Sequence, residues 1–371
     1  MSHVDIHRRR LQLLVRRLRA RGLDAILVSQ PENRYYLSGY TARNHGIQES
    51  AGYLLVPGRG SPYLLTDSRF QLQAEEEAAG FRVELYPRGL ARLLASLLPA
   101  LGVRRLGFES DYILYSTVGR LQKQLQAVGV DLVALRHMVE RMRMVKDELE
   151  IELLRSSVRL NERVFQRVHA TLQAGMSERD IALCIESTMR EMGAERPAFE
   201  TIVAFGENGA RPHAVPGERL LAHDDIVLID MGLVHKGYCS DMTRTFVLGE
   251  PEELYVERHR LVRRAQLAGM AAIRAGVTCR EVDRAARQVI RDSGHGVYFG
   301  HALGHGVGLA IHEEPRLSSR SRRKLRPGMV VTVEPGIYLP GWGGIRLENM
   351  VVVRENGCEQ LNEDTTFLDL E

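Results

Sequence analysis

The stretch "DIVLIDMGLVHKGYCSDMTRTFVLG", residues 225–249, has the apolar character of buried strands but contains two acidic side chains. Its first part is an apolar run that ends in Asp230, and its return part begins with Asp241. The chain between them turns at "VHKGY". A two-residue turn centred on His235 and Lys236 would place the two aspartates directly opposite each other on a hairpin.

Two opposed carboxylates destabilise a sheet because like charges repel across the strands. Burial adds a cost of its own unless each carboxylate has a partner or a metal ion. A cation between Asp230 and Asp241 would remove both objections. The structural alternative is that Asp230 pairs with Arg244 while Asp241 faces solvent.

A second pair of acidic residues repeats this pattern further along the chain. Glu334 ends a run of β-branched residues in "MVVTVEPGIYL" (329–339), and Glu348 lies in "GIRLENMVVV" (344–353). The Gly- and Pro-rich "PGIYLPGWGG" between them suits a connection between antiparallel neighbours. Two independent pairs of carboxylates on adjacent strands make a chance arrangement less credible.

Three histidines lie in "HALGHGVGLAIHEEP", residues 301–315. His305 is flanked by glycines that allow close approach to a metal ion, so it is the candidate ligand. His301 and His312 are candidates for the surrounding pocket, where an imidazole can donate to a substrate carbonyl or move a proton. His213 lies in a rigid polar loop, "ARPHAVPG", suited to presenting a side chain. For each one the structural alternative is an ordinary core or surface histidine.

The candidate ligands are four carboxylates and one imidazole. An oxygen-rich set with one nitrogen suits two hard or borderline divalent ions, bridged by carboxylates, better than one tetrahedral zinc ion. Two such ions about 3.5–4 Å apart would activate a bridging water. The set consists of Asp230, Asp241, His305, Glu334 and Glu348.

Length, charge and cysteine content narrow the class of protein. A chain of 371 residues fits two domains. Lys and Arg total 50 against 47 Asp and Glu, and no sustained basic tract or long apolar run occurs, so we expect no nucleic-acid partner and no membrane association. The four cysteines are scattered without a CxxC pair, which favours the reducing cytoplasm over a disulfide framework.

We predict a domain boundary near residue 138. Residues 1–138 alternate helical and strand patterns, including a hairpin from 51–58 and 61–67, as in a small α/β domain. Residues 139–371 form the second domain. The helices predicted in it span 139–175, 177–192, 251–275 and 278–293.

These motifs resemble the dinuclear metallopeptidases of the pita-bread fold, which comprise methionine aminopeptidase, aminopeptidase P and prolidase. The five ligands occur in the family's order, and the similarity covers about 200–371. The segment "NRYYLSGY" (33–40) resembles the creatinase/prolidase N-terminal domain, which simple methionine aminopeptidases lack. Creatinases share the fold but lack the metal ligands. Asn349 stands where relatives commonly have an acidic residue.

The resemblance implies an α+β chain with a C-terminal pita-bread domain preceded by a smaller α/β creatinase/prolidase N-terminal domain. It implies that Asp230 and Asp241 bind one ion, with Asp241 bridging, and that His305 and Glu334 bind the second, with Glu348 bridging. The ions would be Mn²⁺, or alternatively Co²⁺ or Zn²⁺.

The resemblance also implies roles in catalysis. Glu334 would be the general base for a water bridging the two ions, and His213 and His312 would stabilise the oxyanion and position the scissile carbonyl. His301 would line a proline pocket. The implied substrate is a small peptide with proline at the second position.

The implied reaction is hydrolysis of Xaa-Pro bonds, with dipeptides favoured over longer peptides. Arg316 matches an arginine of prolidases that could anchor a free carboxylate bidentately, and Arg346 is the other candidate. Arg43 or His45 could cap the site of the neighbouring subunit in a homodimer. The alternatives are aminopeptidase P activity, an enzyme acting on a non-peptide amide or a phosphoester, and a non-catalytic binding module.

Overall fold

A mixed six-stranded sheet forms the centre of the first of two units, Met1–Arg143 and Met144–Glu371. The computed structural model describes residues 3–44 and 46–363. The strands of this sheet are β1 (Ala25–Val28), β2 (Tyr53–Pro57), β3 (Tyr63–Thr66), β4 (Arg82–Leu85), β5 (Arg105–Glu109) and β6 (Asp131–Leu135), in the order β4-β3-β2-β1-β5-β6. The helices are α1 (His3–Arg19), α2 (Pro31–Ser38), α3 (Gln71–Glu77), α4 (Leu90–Ala100), α5 (Tyr115–Gln126) and α6 (Glu140–Arg143).

The core of the first unit forms where α4 and α5 pack on the sheet. All four residues of β1 are buried, as expected for a central strand covered on both faces. Leu94 and Leu98 of α4, spaced i and i+4, join Leu121 and Leu125 of α5 in one apolar cluster. The predicted hairpin is confirmed, because β2 and β3 pair antiparallel.

Up to residue 363, the second unit contains two pairs of helices and four small sheets. Its helices are α7 (Glu148–His169), α8 (Glu178–Glu191), α9 (Glu253–Ala272) and α10 (Cys279–Asp292), with 3-10 turns at Gly206–Ala210 and Gly296–Tyr298. Its strands are β7 (Arg196–Pro197), β8 (Ile202–Phe205), β9 (Ile226–Met231), β10 (Leu233–His235), β11 (Tyr238–Cys239), β12 (Met242–Val247), β13 (Gly304–Gly306), β14 (Glu313–Leu317), β15 (Val330–Val333), β16 (Gly336–Leu339), β17 (Gly343–Arg346), β18 (Asn349–Val353) and β19 (Cys358–Gln360).

Each helix pair shares an apolar core with one group of strands. The helices α7 and α8 pack with β8, β9 and β12, and α9 and α10 pack with β15 to β18. The sheets have the orders β11-β10-β7, β12-β9-β8, β14-β13-β15-β18-β19 and β16-β17. Because close-packed cores resist deformation, the two helix pairs hold these strands in fixed positions.

None of the helices within residues 3–44 and 46–363 combines the length and the apolar character needed to span a bilayer.

The predicted single helix over 139–175 is wrong. The chain forms the short α6 and then the separate helix α7, because Asp147 caps the start of α7. The Asp147 carboxylate accepts a hydrogen bond from Glu150 N at 2.9 Å, and Glu150 accepts one from Asp147 N at 3.1 Å. This reciprocal capping box defines a helix start. The same motif, formed by Ser177 and Asp180, begins α8.

The predicted hairpin register around Asp230 is also wrong. The two turn residues are Lys236 and Gly237, with φ of 51° and 80°, instead of His235 and Lys236. A type I′ turn needs positive φ at both central residues, and glycine adopts it readily. This displacement of the turn makes Thr243 the partner of Asp230 in the antiparallel ladder. The two predicted ligands are therefore diagonal neighbours.

The segments 329–339 and 344–353 each form two strands where one was predicted. The breaks fall at Glu334 and Glu348, between ladders in which Val333 pairs with Asn349 and Gly336 pairs with Arg346. The two glutamates thus occupy matching positions between paired, antiparallel strands. The prediction that the two segments are antiparallel neighbours is confirmed, although Glu348 lies between strands and not within one.

Replacing Gly237 by alanine should destabilise the hairpin that leads to Asp241. A Cβ atom at φ of 80° is strained, so we expect the free energy of unfolding in urea to fall by about 1–2 kcal/mol. Gly357→Ala is the matched control, because Gly357 lies outside the left-handed region and has open space around it. Equal effects of the two substitutions would contradict the turn assignment.

Candidate metal centre

The predicted ligands converge from strands of two different sheets. Asp230 lies in β9 and Asp241 directly precedes β12. His305 is the middle residue of β13, Glu334 directly follows β15 and Glu348 directly precedes β18. A hydrogen bond from Glu348 N to the carbonyl of Thr243, at 3.2 Å, joins the two sheets at this point. Their positions at or near strand ends explain how four acidic side chains reach one volume without interrupting the ladders.

The imidazole of His305 lies among the carboxylates. Its Nε2 atom is 3.5 Å from Asp241 Oδ2 and 3.4 Å from Glu334 Oε1. Its Nδ1 atom lies 3.1 Å from the carbonyl oxygen of Gly306, which can only accept, so the proton belongs on Nδ1. The Nε2 lone pair therefore faces the carboxylates. One donor atom each of Asp241, His305 and Glu348 lies within 4.8 Å of the others.

Two buried threonines orient the glutamates. The hydroxyl of Thr243 donates to Glu348 Oε2 at 2.7 Å, and that of Thr332 donates to Glu334 Oε1 at 3.1 Å. Thr332 also accepts a hydrogen bond from the backbone N–H of His305 at 3.1 Å. These contacts limit the rotation of the candidate ligands, as hydrogen bonds to ligands do in metal sites.

Arg346 pairs with Asp230 in this cluster. Its Nη2 atom donates to Asp230 Oδ2 at 2.6 Å, and both side chains are largely buried. The alternative pairing of Asp230 with Arg244 is wrong, because Arg244 donates to the backbone carbonyl of Glu348 and to the side chain of Asn349. Solvent exposure of Asp241 is excluded as well, since that residue is 4% exposed.

Burial and mutual repulsion change the protonation of this cluster. Burial, together with the neighbouring Glu348 and Asp230, raises the pKa of Asp241 well above its ordinary value. Burial and the surrounding carboxylates likewise raise the pKa of Glu348. Burial raises the pKa of Glu334 to about 8 and lowers the pKa of His305 to about 4. The site therefore disfavours its full set of negative charges and favours a neutral imidazole.

The cluster fits divalent cations. Among the described residues, no hydrogen-bond donor reaches the buried Oδ1 atom of Asp230, although Oδ2 is paired. A buried carboxylate oxygen without a partner is costly, and a cation would satisfy it. Cations would also offset the repulsion that raises the pKa values of the neighbouring carboxylates. The donor set, oxygen-rich with one neutral imidazole nitrogen, is suited to such ions.

The cluster lies in a cavity of about 520 Å³ that also holds the other predicted site residues. His213 and His312 are exposed at this cavity, and the rings of His305 and His312 are 4.4 Å apart. Arg316 lines it too. The remaining predicted residue, His45, lies outside the described residues.

His301 is held by a residue to which the sequence assigned no role. Its Nδ1 atom is 2.8 Å from the carbonyl of Ala302, so Nδ1 carries the proton and Nε2 accepts from the hydroxyl of Tyr338 at 3.0 Å. The Tyr338 oxygen accepts from Arg346 Nη1 at 2.8 Å. Burial lowers the pKa of His301 to about 4. This neutral ring lines the cavity. The motif "EPGIY" contains Tyr338, but the pairing has no local sequence signal.

Comparison with known proteins agrees with this geometry. The model of the metallopeptidase family M24 matches residues 152–355, and the creatinase/prolidase N-terminal domain matches residues 10–145. The chain belongs to metallopeptidase family M24. The predicted fold class, with a pita-bread domain after a smaller N-terminal domain, is confirmed.

Three relatives show which members of family M24 this chain resembles. An Xaa-Pro dipeptidase of Pyrococcus horikoshii is 32% identical over 97% of this chain and 98% of its own. The solved Xaa-Pro dipeptidase from Bacillus anthracis is 35% identical, with a TM-score of 0.91, over 98% and 99% of the two chains. The solved X-Pro aminopeptidase from Thermotoga maritima is 37% identical, with a TM-score of 0.85, over 94% and 97%.

In the metal-free form of this M24 protein, the free energy of unfolding should fall as pH rises. Glu334 has an ordinary pKa near 4.5 when unfolded and about 8 when folded without metal. The folded state therefore holds extra protons between these values, and its stability declines as pH rises through that window. Bound cations replace these protons, so we expect the Tm gain from Mn²⁺ to reach about 5–10 °C near pH 8 and to shrink toward about pH 5.

Comparing EDTA-treated with Mn²⁺-loaded protein separates the contribution of the cluster to the pH dependence of Tm from that of other buried acids. Burial also raises the pKa of Glu109 and of Glu162 to about 7, but both residues lie outside the predicted ligand set and affect the two forms alike. The difference in Tm, measured by calorimetry against pH, reports the metal-linked protons. A Tm gain that does not change with pH would contradict the assignment.

Proposed function

We propose that the protein hydrolyses Xaa-Pro bonds, chiefly in dipeptides, with two divalent metal ions. The observation that carries this proposal is the convergence of four largely buried carboxylates and one neutral imidazole at a cavity rimmed by further histidines and an arginine. Membership of metallopeptidase family M24 supports it. The proposed ligands are Asp230, Asp241, His305, Glu334 and Glu348.

The relatives support the choice of substrate. Those from Pyrococcus horikoshii and Bacillus anthracis are Xaa-Pro dipeptidases by name and match almost the full length of this chain. The structure from Thermotoga maritima is named an X-Pro aminopeptidase. Removal of the residue before proline from longer peptides is therefore the second candidate function.

The two ions would share some of their protein ligands. Asp230 and Asp241 would hold one, His305 and Glu334 would hold the other, and Asp241 and Glu348 would bridge. When bound, such ions acidify a water molecule and polarise the scissile carbonyl. The contacts of Thr243 and Thr332 would keep the glutamates oriented for this task.

Side chains of the protein would transfer the proton and stabilise the negative charge on the scissile carbonyl. Glu334 would take the proton of the attacking water and deliver it to the leaving nitrogen. His213 and His312, exposed at the cavity, would donate hydrogen bonds to the carbonyl oxygen as it gains charge.

The ring of His301 would form part of the proline pocket. An Xaa-Pro bond is a tertiary amide without an N–H group, so its selection needs an apolar ring pocket and no acceptor for that nitrogen. The nitrogens of His301 already contact Ala302 and Tyr338. Its ring is therefore available for packing and not for hydrogen bonding.

Arg316 would set the length of the substrate. It is exposed at the cavity four residues beyond His312, and it forms no ion pair with a carboxylate of the described residues. A guanidinium there can bind the carboxylate of a dipeptide bidentately. Arg346, the other predicted anchor, is engaged with Asp230, so we assign it to the metal cluster.

Three finer proposals accompany this function. We propose Mn²⁺ as the metal, with Co²⁺ or Zn²⁺ as alternatives that suit the same ligands. A homodimer in which His45 caps the site of the neighbouring subunit, and a cytoplasmic location, remain the predictions made from the sequence.

The direct test of the function is hydrolysis of Ala-Pro, Leu-Pro and a longer Xaa-Pro-Yaa peptide by Mn²⁺-loaded protein. We expect proline release from both dipeptides and little cleavage of the longer peptide. Asp241→Ala is the control and should abolish activity, because a bridging ligand is lost.

The outcomes separate the candidates. Cleavage of the longer peptide with little dipeptide activity would establish the aminopeptidase alternative and remove the role of Arg316 in substrate choice. If the loaded protein cuts none of the three, the substrate proposal is wrong even where Mn²⁺ binding is measured.

Replacing Arg316 by methionine tests the carboxylate anchor. We expect the KM for Leu-Pro to rise about 10- to 100-fold, as for loss of a hydrogen-bonded charge pair, with little effect on the amide Leu-Pro-NH₂. Arg320→Met is the matched control, since Arg320 is exposed in the next loop and does not line the cavity. An equal effect on the acid and the amide would contradict the anchor.

A further inference from the structure

One buried carboxylate closes the loop that carries His213. We call residues 205–217 the His213 loop. Its first residue, Phe205, donates its backbone N–H to Glu178 Oε1 at 2.8 Å, and its last residue, Gly217, donates its N–H to Glu178 Oε2 at 2.8 Å. The two ends of the loop are therefore joined through a single side chain, and we call these hydrogen bonds to Glu178 the clamp.

A side chain within the loop adds to this clamp. The amide of Asn208 donates to both oxygens of Glu178, at 3.0 and 2.9 Å. The Asn208 oxygen accepts from Arg211 at 3.1 Å, which agrees with this orientation of the amide. The carboxylate thus accepts four hydrogen bonds from three points along the loop. Neutral donors facing an ionised acceptor make hydrogen bonds stronger than neutral pairs do.

The clamp has a rigid base. Glu178 is the first residue of α8 and is 1% exposed. The capping box of Ser177 and Asp180 fixes the start of that helix, and Arg179 N donates to the carbonyl of Gly217 at 3.1 Å. The position of the carboxylate is therefore set by the helix and not by the loop.

Further contacts hold the middle of the loop: Ala214 is buried in an apolar cluster with Ala204 and Leu228, and Arg346 reaches the loop at the cavity. Arg346 donates to the carbonyl of Pro212 at 3.2 Å, next to His213. Glu178 itself is absent from the lining of the cavity that holds the metal cluster. Its contacts are with the loop, and through the loop they bear on where the imidazole of His213 lies.

We propose that Glu178 is a positioning residue that holds His213 in register with the scissile carbonyl. This rests on the proposed function, in which His213 donates to that carbonyl. Displacement of a catalytic group by about 1 Å can cost about 100-fold in rate, so a clamp on its loop matters to catalysis without touching the substrate. The rival role is structural, in which Glu178 only stabilises the start of α8.

The test is a double-mutant cycle between Glu178→Gln and His213→Ala. Glutamine keeps the shape but presents an N–H₂ group to loop donors, so part of the clamp is lost. We expect E178Q to lower kcat for Leu-Pro about 10-fold with KM changed less than about 2-fold. In the H213A background the same change should lower kcat less than about 2-fold, because the group that it positions is gone.

Two further variants distinguish a loss of positioning from a folding defect. Asn208→Ala removes the amide contacts without altering α8, and it should lower kcat in the same direction by about 3-fold. Asp180→Asn is the matched control on the same helix turn; the asparagine oxygen can still accept from the backbone N–H of Ser177, so the helix start and the loop contacts are kept, and kcat should change less than about 2-fold. Bound Mn²⁺ and Tm are measured for every variant.

The results distinguish failure of the inference from failure of the proposed function. Independent, multiplicative effects of E178Q and H213A on kcat would overturn the positioning role, as would equal kcat losses in D180N and E178Q. If H213A alone leaves kcat unchanged, the role proposed for His213 is wrong, and the inference about Glu178 falls with it. If the wild-type protein releases no proline, the substrate proposal itself has failed.

Discussion

Four carboxylates share one buried volume, and this crowding is the constraint on which the arrangement of the second unit depends. Each of them would be ionised in water at neutral pH, yet burial and proximity raise the pKa of three of them, Asp241, Glu334 and Glu348. One arginine, Arg346, offsets part of the charge through Asp230. The remaining repulsion favours positive ions, which is the physical reason that a metallopeptidase site can be inferred from this cluster.

The surrounding fold resists that repulsion. The two helix pairs pack apolar faces against the strands whose ends carry the candidate ligands, so the carboxylates cannot move apart without disturbing a close-packed core. Threonine hydroxyls and the backbone bridge between Glu348 and Thr243 complete the restraint. By contrast, His213 and His312 lie outside the helices and strands and are exposed at the cavity.

The residues that converge in the cluster could be predicted from the sequence, whereas the geometry that joins them could not. An acidic residue inside an apolar strand is costly, so Asp230 and Glu334 stand out without any structure. The turn was predicted one residue too early, because the side chain of Lys236 gives no indication of its positive φ. The contacts of Arg346 with Asp230 and of Glu178 with the His213 loop link positions far apart in the chain, and they depend on the completed fold.

The separation of these partners along the chain has a consequence for how the protein folds. Arg346 and Asp230 are 116 positions apart, and Thr243 and Glu348 are 105 positions apart. Contacts between such distant residues form only after much of the chain entropy has been lost, and they slow folding. An ion therefore meets its complete set of ligands only late, when both helix pairs are docked. Metal would act on the finished chain, slowing its unfolding, and would contribute little as a template for its assembly.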